Sequence, residues 1–200
     1  GSTMFEVIRK KYWVVGLTCI LSLSAWSALS SAEDVQPASP PGSIEFVGKN
    51  LIATANGRFH SWEVVESAID AQALESSWVT VEVDLSSVDT GIERRDEHLR
   101  QADFFEVARW TTARVRVDGF KAAGETEAGD AKFDANFEID LHGVTRVVGG
   151  EVVLLSATPL VVEGSLVLDR MDFAVGPPPS RWNPMAIKAE IPLSFRYEAE

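Results

Sequence analysis

Cysteine is all but missing from this chain: one residue in 200, at position 19. It falls in a segment with the marks of a removable leader, so no disulfide or thiolate chemistry is left for the remainder, which has to be held by its apolar core. Histidine is scarce as well, with His60, His98 and His142 the full set. None forms a two-histidine pair at metal-ligand spacing, and each sits at a predicted turn or on a polar face, which counts against a metal centre. Cations are outnumbered, 18 lysines and arginines against 30 aspartates and glutamates. An excess of negative charge argues against nucleic acid as a partner and against electrostatic attachment to anionic lipid surfaces. Internal repeats are absent too, which sets solenoids and propellers aside.

Only one long apolar run is present, and it is N-terminal. Gly1-Ser2-Thr3 ahead of Met4 reads as an expression remnant; Arg9, Lys10 and Lys11 then precede "YWVVGLTCILSLSAWSALSSA". A basic start, an apolar stretch, and Ser30 and Ala32 at the −3 and −1 positions are the parts of a secretory signal peptide cut after Ala32. An uncleaved anchor needs ~20 predominantly apolar residues, and five serines dilute the second half of this stretch. The leader holds three basic residues against Glu6, a net +2, so the chain's −12 becomes −14 once it is removed. Residues 33–42, "EDVQPASPPG", read as a polar, proline-rich linker. The expected location is therefore periplasmic or secreted, with no stable membrane insertion after processing.

From Ser43 onward the dominant period is two. Val79, Val81, Val83 and Leu85 alternate with polar residues, as do Phe133, Ala135, Phe137, Ile139 and Leu141, and near the end Ile187, Ala189, Ile191, Leu193, Phe195 and Tyr197. One apolar and one wet face per strand is the pattern of antiparallel sheet. Further strands are expected over 43–49, 54–60, 62–69, 111–121, 144–155 and 160–172, with His142-Gly143 as a tight hairpin turn. Strands of ten residues or more suit tilted barrel staves, and closure would remove exposed sheet edges. The expectation is all-β: an antiparallel β-barrel of about eight strands in a single domain over 43–200, with one short helix near 91–102.

That helix comes from "TGIERRDEHLRQADFFEV", residues 90–107. Thr90 and Glu93 have capping-box spacing. Asp96 and Arg100 stand four apart, a favourable pair on a helix. Ile92 and Leu99 share a face suited to a barrel rim, and Phe104 and Phe105 would tuck back into the body. The charges of Arg94, Arg95, Asp96 and His98 could serve acid–base chemistry, but consecutive charges on a capped helix are more often a solvated face that pins the helix down. Ser86 and Ser87 lack a nucleophile-elbow context. No catalytic residue and no metal ligand is assigned.

"SVDTGIERRDEHLRQADFFEV" resembles the signature of the YceI-like family of exported bacterial polyisoprenoid-binding proteins, roughly S-[IV]-D-T-G-x-x-x-R-D-x-H-L-x-x-x-D-F-F. The likeness continues through "ANGRF", "FEIDLHGVTRVV", "LVLDRMDFAVG" and "AEIPLSFRYEAE", covering residues 43–200. It implies a lipocalin-like barrel whose apolar interior holds an isoprenoid or similar amphiphile, without catalysis. This chain departs from the pattern at Arg109-Trp110, where the family usually has proline, and at "FAVGPPPSRWNP", where it is more often glycine-rich.

The inward faces of the predicted strands are what a lipid tunnel requires, and equally what a solid core requires; the resemblance favours the tunnel. Its expected lining is Phe59, Val81, Val83, Phe104, Phe105, Val115, Val117, Phe137, Ile139, Leu166, Leu168, Phe173, Trp182, Ile191, Leu193 and Phe195. For Trp62, Trp78 and Trp110 core or rim packing is expected, while Trp182, in a loop behind three prolines, is balanced between loop packing and a ligand gate. The expected partner is a polyprenyl or quinone-like lipid, with no other cofactor, and a homodimer is compatible with the reading. Two alternatives stay open: an enzyme acting on such a lipid in the same tunnel, or a ligand-free stress or adhesion protein with a filled barrel.

Overall fold

A computed structural model of the protein describes residues 41–199; the leader and nearly all of the linker expected from the sequence lie outside the described residues. Ten strands follow one another: β1 (Gly42–Lys49), β2 (Thr54–Phe59), β3 (Trp62–Ala68), β4 (Trp78–Asp84), β5 (Val88–Asp89), β6 (Thr112–Glu125), β7 (Ala131–Leu141), β8 (Val144–Ala157), β9 (Leu160–Asp169) and β10 (Glu190–Glu198). The one α-helix among the described residues, α1 (Glu93–Leu99), separates β5 from β6. All neighbours in the sheet are antiparallel, in the order β3-β4-β6-β7-β8-β9-β10-β1-β2-β5.

The two ends of that sheet are joined by the chain itself. β2 and β3 are one stave bent at His60-Ser61, and β4 and β5 are its partner stave, broken by a 3₁₀ turn at Leu85–Ser87. His60 N–H donates to the Ser87 carbonyl and Asp84 N–H to the Ser61 carbonyl across the corner, at 3.3 and 2.9 Å. Counted this way the sheet curls into eight staves, the number expected from the sequence. All strand pairings and the buried core fall within Pro37–Glu200, which is one compact unit with a complete core of its own.

Alternation in sequence becomes alternation in burial. Phe133, Ala135, Phe137, Ile139 and Leu141 of β7 are buried, while the residues between them face water. Outside, opposite charges meet across strands, as in Arg114–Glu82 at 2.8 Å and Lys132–Glu151 at 2.7 Å; exposed pairs of this kind contribute ~0–1 kcal/mol each. The β7–β8 hairpin turns on His142 and Gly143, both at positive φ (55° and 74°), as a two-residue turn of matching twist requires. The ring of Trp110 lies where a Cβ on Gly143 would stand, 2.5 Å away at its nearest atom, so Trp110 packs over this turn.

The structure differs from the sequence expectation in the strands and around the helix. β6 carries a bulge between Asp118 and Lys121, with Gly119 at φ 65°; the extra residue reverses the alternation and brings Phe120 inside. β9 stops at Asp169 rather than 172, and β10 begins at Glu190 rather than near Ile187. The capping box is not formed: the N-cap of α1 is Ile92, without a side-chain cap, because the Thr90 hydroxyl is taken by Asp96. Ile92 is exposed while Leu99 packs toward the cavity, so the two do not share a face on the rim, and Arg100 reaches the carbonyls of Ser86 and Val88 rather than Asp96.

Candidate functional site: an apolar cavity inside the barrel

Strand polarity gives the barrel two unlike ends. The β6–β7 and β8–β9 turns lie at one; α1, the 170–173 turn and the 176–189 loop gather at the other. Between them the lumen holds a cavity of about 280 Å³ whose accessible wall is entirely apolar. An engineered cavity of ~150 Å³ lined by leucine, isoleucine and phenylalanine stays dry and binds a small hydrocarbon. The interior of this barrel is not filled by its own side chains.

Three glycines help to keep it open. Phe46 stands opposite Gly57 and Phe195 opposite Gly164 across neighbouring strands, and each ring occupies the space a Cβ would take: 2.3 Å from Phe46 Cζ at Gly57 and 2.2 Å from Phe195 Cζ at Gly164. Gly150 serves Phe137 in the same way, at 2.7 Å. With no Cβ beneath them the rings lie down on the wall instead of standing into the lumen.

The structure brings most of the expected lining together. Phe59, Val81, Val83, Val115, Val117, Phe137, Ile139, Leu166, Leu168, Ile191, Leu193 and Phe195 face the cavity from the staves, and Phe104 and Phe105 from the segment after α1. Phe173 and Trp182 are not part of this wall. Phe173 ends the 170–173 turn that follows β9 and is wholly buried in the core at 0% exposure, off the cavity wall. Trp182 stands in solvent at 88% exposure. The wall also includes residues the sequence reading left out, among them Ile44 and Phe46 of β1, Trp62, Trp78, Leu99 and Ile187. The alternation of Ile44 and Phe46 was the signal available for those two.

Two buried polar assemblies build the end that carries α1. In the first, the Asp96 carboxylate accepts from the backbone N–H of Thr90 (2.9 Å) and from its hydroxyl, while Arg95 donates to the Thr90 hydroxyl (2.7 Å) and carbonyl (2.8 Å). This knot ties α1 to the end of β5. In the second, Arg170, only 4% exposed, uses its guanidinium as a hub. It donates to the carbonyls of Lys188 (3.0 Å), Val175 (2.6 Å), Pro177 (2.7 Å) and Ile187 (2.8 Å), and to Met171 Sδ (3.2 Å). Burial pulls its pKa below the usual arginine value, yet guanidinium stays protonated in proteins, and all five N–H groups are used. Arg95, Thr90 and Arg170 border the cavity with carbon, their polar atoms turned to these partners.

The charged residues do not converge on the lumen. His98 pairs with Asp103 at 2.8 Å and His60 with Asp89 at 2.7 Å, both on the surface. His142 Nδ1 lies 3.2 Å from the Phe173 carbonyl. Among the described residues no group of three or more His, Cys, Asp or Glu side chains is placed to hold a metal ion.

Comparison with known proteins places this architecture. Residues 37–199 match the YceI-like domain. A UPF0312 protein of Vibrio cholerae is 27% identical over 142 residues, covering 70% of this chain and 71% of that protein. Another, from Azotobacter vinelandii, is 37% identical over 81 residues, 40% of each chain. Among solved structures, Burkholderia cenocepacia BcnA superposes with a TM-score of 0.69 at 17% identity, covering 80% of this chain and 96% of that one. A polyisoprenoid binding domain from Saccharophagus degradans superposes with a TM-score of 0.59 at 23% identity, covering 82% and 97%. With the match spanning nearly all of the described barrel, this chain belongs to the YceI-like family.

Proposed function

We propose that the barrel carries a long apolar lipid, a polyprenyl chain or isoprenoid quinone, without chemically altering it, and that it does so in the bacterial cell envelope after removal of the leader. The observation that carries the reading is the cavity: about 280 Å³ with an entirely apolar wall. A hydrocarbon chain gains ~0.8 kcal/mol per methylene withdrawn from water, so fifteen carbons offer ~12 kcal/mol before ordering is subtracted. No charged contact is needed to hold it. The fold shared with a polyisoprenoid binding domain supports the same ligand class. The acid–base candidates Asp96 and His98 point to Thr90 and Asp103 and not to the lumen, which favours a carrier over an enzyme using them.

Native mass spectrometry of the purified protein with solvent extraction tests this. A co-released amphiphile of defined mass, or uptake of added farnesol, is the expected result. Protein that is free of lipid and takes up none would overturn the proposal.

A further inference from the structure

At the end of the barrel that carries α1, two loops project together. The β1–β2 turn, residues 50–53, is joined to the 176–189 loop by Leu51 N–H to the Pro184 carbonyl (3.2 Å) and Lys188 N–H to the Lys49 carbonyl (2.8 Å). Their tips present the three most exposed large apolar side chains of the described residues, Trp182 at 88%, Leu51 at 70% and Ile52 at 68%, with Met185 at 61% beside them. These are built turns, since Asn50 Oδ1 accepts from Ile52 and Ala53 N–H at 2.8 and 2.7 Å, and Asn183 Oδ1 from Met185 N–H at 3.0 Å. The polar side chains point back into the turns and leave the apolar ones in water.

Charge is segregated in the same place. Residues 49–54 and 176–189 contain Lys49, Arg181 and Lys188 and no carboxylate, in a chain with 30 of them; the nearest in sequence, Glu45 and Glu190, sit in strands. Screening over ~8 Å at physiological ionic strength means that a docking surface responds chiefly to the charges on these two loops. Exposed apolar tips ringed by cations, with a tryptophan among them, match the polar–apolar boundary of a bilayer bearing anionic headgroups. The tips also adjoin the cavity, because Gly48 and Ile187, which flank them in sequence, are part of its wall.

We propose that this pair of loops is a membrane-docking surface, inserting Leu51, Ile52, Trp182 and Met185 into the interface of an anionic bilayer and placing that end of the cavity against the lipid. The surface stands apart from the carrier reading and gives it a site of loading.

The test is flotation of residues 37–200, the unit with the complete core, with phosphatidylcholine vesicles carrying phosphatidylglycerol. Wild-type protein is expected to float, less so at high salt or with Arg181→Glu and Lys188→Glu. The triple substitution Leu51→Ser, Ile52→Ser, Trp182→Ser is expected to lower partitioning at least tenfold with an unchanged melting temperature, the sites being exposed. Wild-type protein that stays at the bottom, or a triple variant that floats equally well, overturns the proposal. So does a dimer abolished by the same substitutions in protein that does not float, which would assign the tips to a second copy of the chain. Failure of the carrier reading is separable: protein that floats but takes up no farnesol keeps the docking surface and loses the cargo.

Discussion

Replacing Gly57 by alanine should weaken ligand binding while leaving the fold intact. The new Cβ would stand 2.3 Å from Phe46 Cζ and 2.7 Å from both Cε atoms, where ordinary contact begins near 3.4 Å, so the ring must retreat by about 1 Å or more. Behind it is the sheet; in front is the cavity that Phe46 lines. A ring tipped inward denies space to about two methylenes of a bound chain, ~1.6 kcal/mol, or roughly fifteen-fold in Kd. Stability should hardly change, because the ring has room to move and alanine recovers ~0.5–1 kcal/mol of backbone entropy relative to glycine in a strand. Gly164→Ala is the contrasting case: its Cβ meets not only Phe195 but the Glu151 carbonyl oxygen at 2.7 Å, and the backbone cannot swing aside. That substitution should cost about 1–3 kcal/mol of stability as overpacking. Titration with dansyl-farnesol and thermal melts of the two variants separate these effects. An unchanged Kd for Gly57→Ala would refute the idea that glycine-paved walls hold the lumen open.

Three further outcomes follow from the polar assemblies beside α1 and from the surface. Arg170→Leu strands the carbonyls of Val175, Pro177, Ile187 and Lys188; the loss should be about 3–5 kcal/mol, a melting point lower by roughly 10 °C in calorimetry, and a drop of only a degree or two would contradict the clamp. Asp96→Ala should destabilise by about 2 kcal/mol, since it leaves Thr90 N–H without its acceptor, whereas Asp96→Asn should recover much of that in denaturant titrations. The hydrogen bond from His60, followed by that from Gly91 N–H, holds the Asp89 carboxyl below its ordinary value of 3.8. A depressed carboxyl pKa stabilises the fold above its unfolded value and ceases to do so as pH falls through the folded one, so melting points should show a shallow decline below about pH 4 that Asp89→Asn removes.

The barrel was legible because antiparallel staves impose a strict two-residue period, and Phe133 to Leu141 display it without interruption. Parity fails where the backbone inserts a residue, and nothing in "VDGFK" except Gly119 marks the bulge that turns Phe120 inward. The capping box misled because local spacing cannot reveal a better partner: Asp96, one turn further on, competes successfully for Thr90. Whether the lumen was hollow could not be read from apolar residues alone, since a solid core uses the same ones. The distinction lies in pairs such as Phe46–Gly57 and Phe195–Gly164, which are adjacent only once register is known. Phe173 was misplaced because β9 stops at Asp169, and the turn at 170–173, rather than the alternation of Leu166 and Leu168, carries its ring into the core away from the cavity wall.

The central claim is that the lumen accepts a long apolar chain, and a crystal structure of the protein grown with a prenyl alcohol tests it most directly. The account predicts continuous density running between Phe46, Val81, Phe137 and Leu193 inside the staves. Density confined to the outer surface, or a lumen closed over by those same rings with the alcohol in saturating excess, would contradict it.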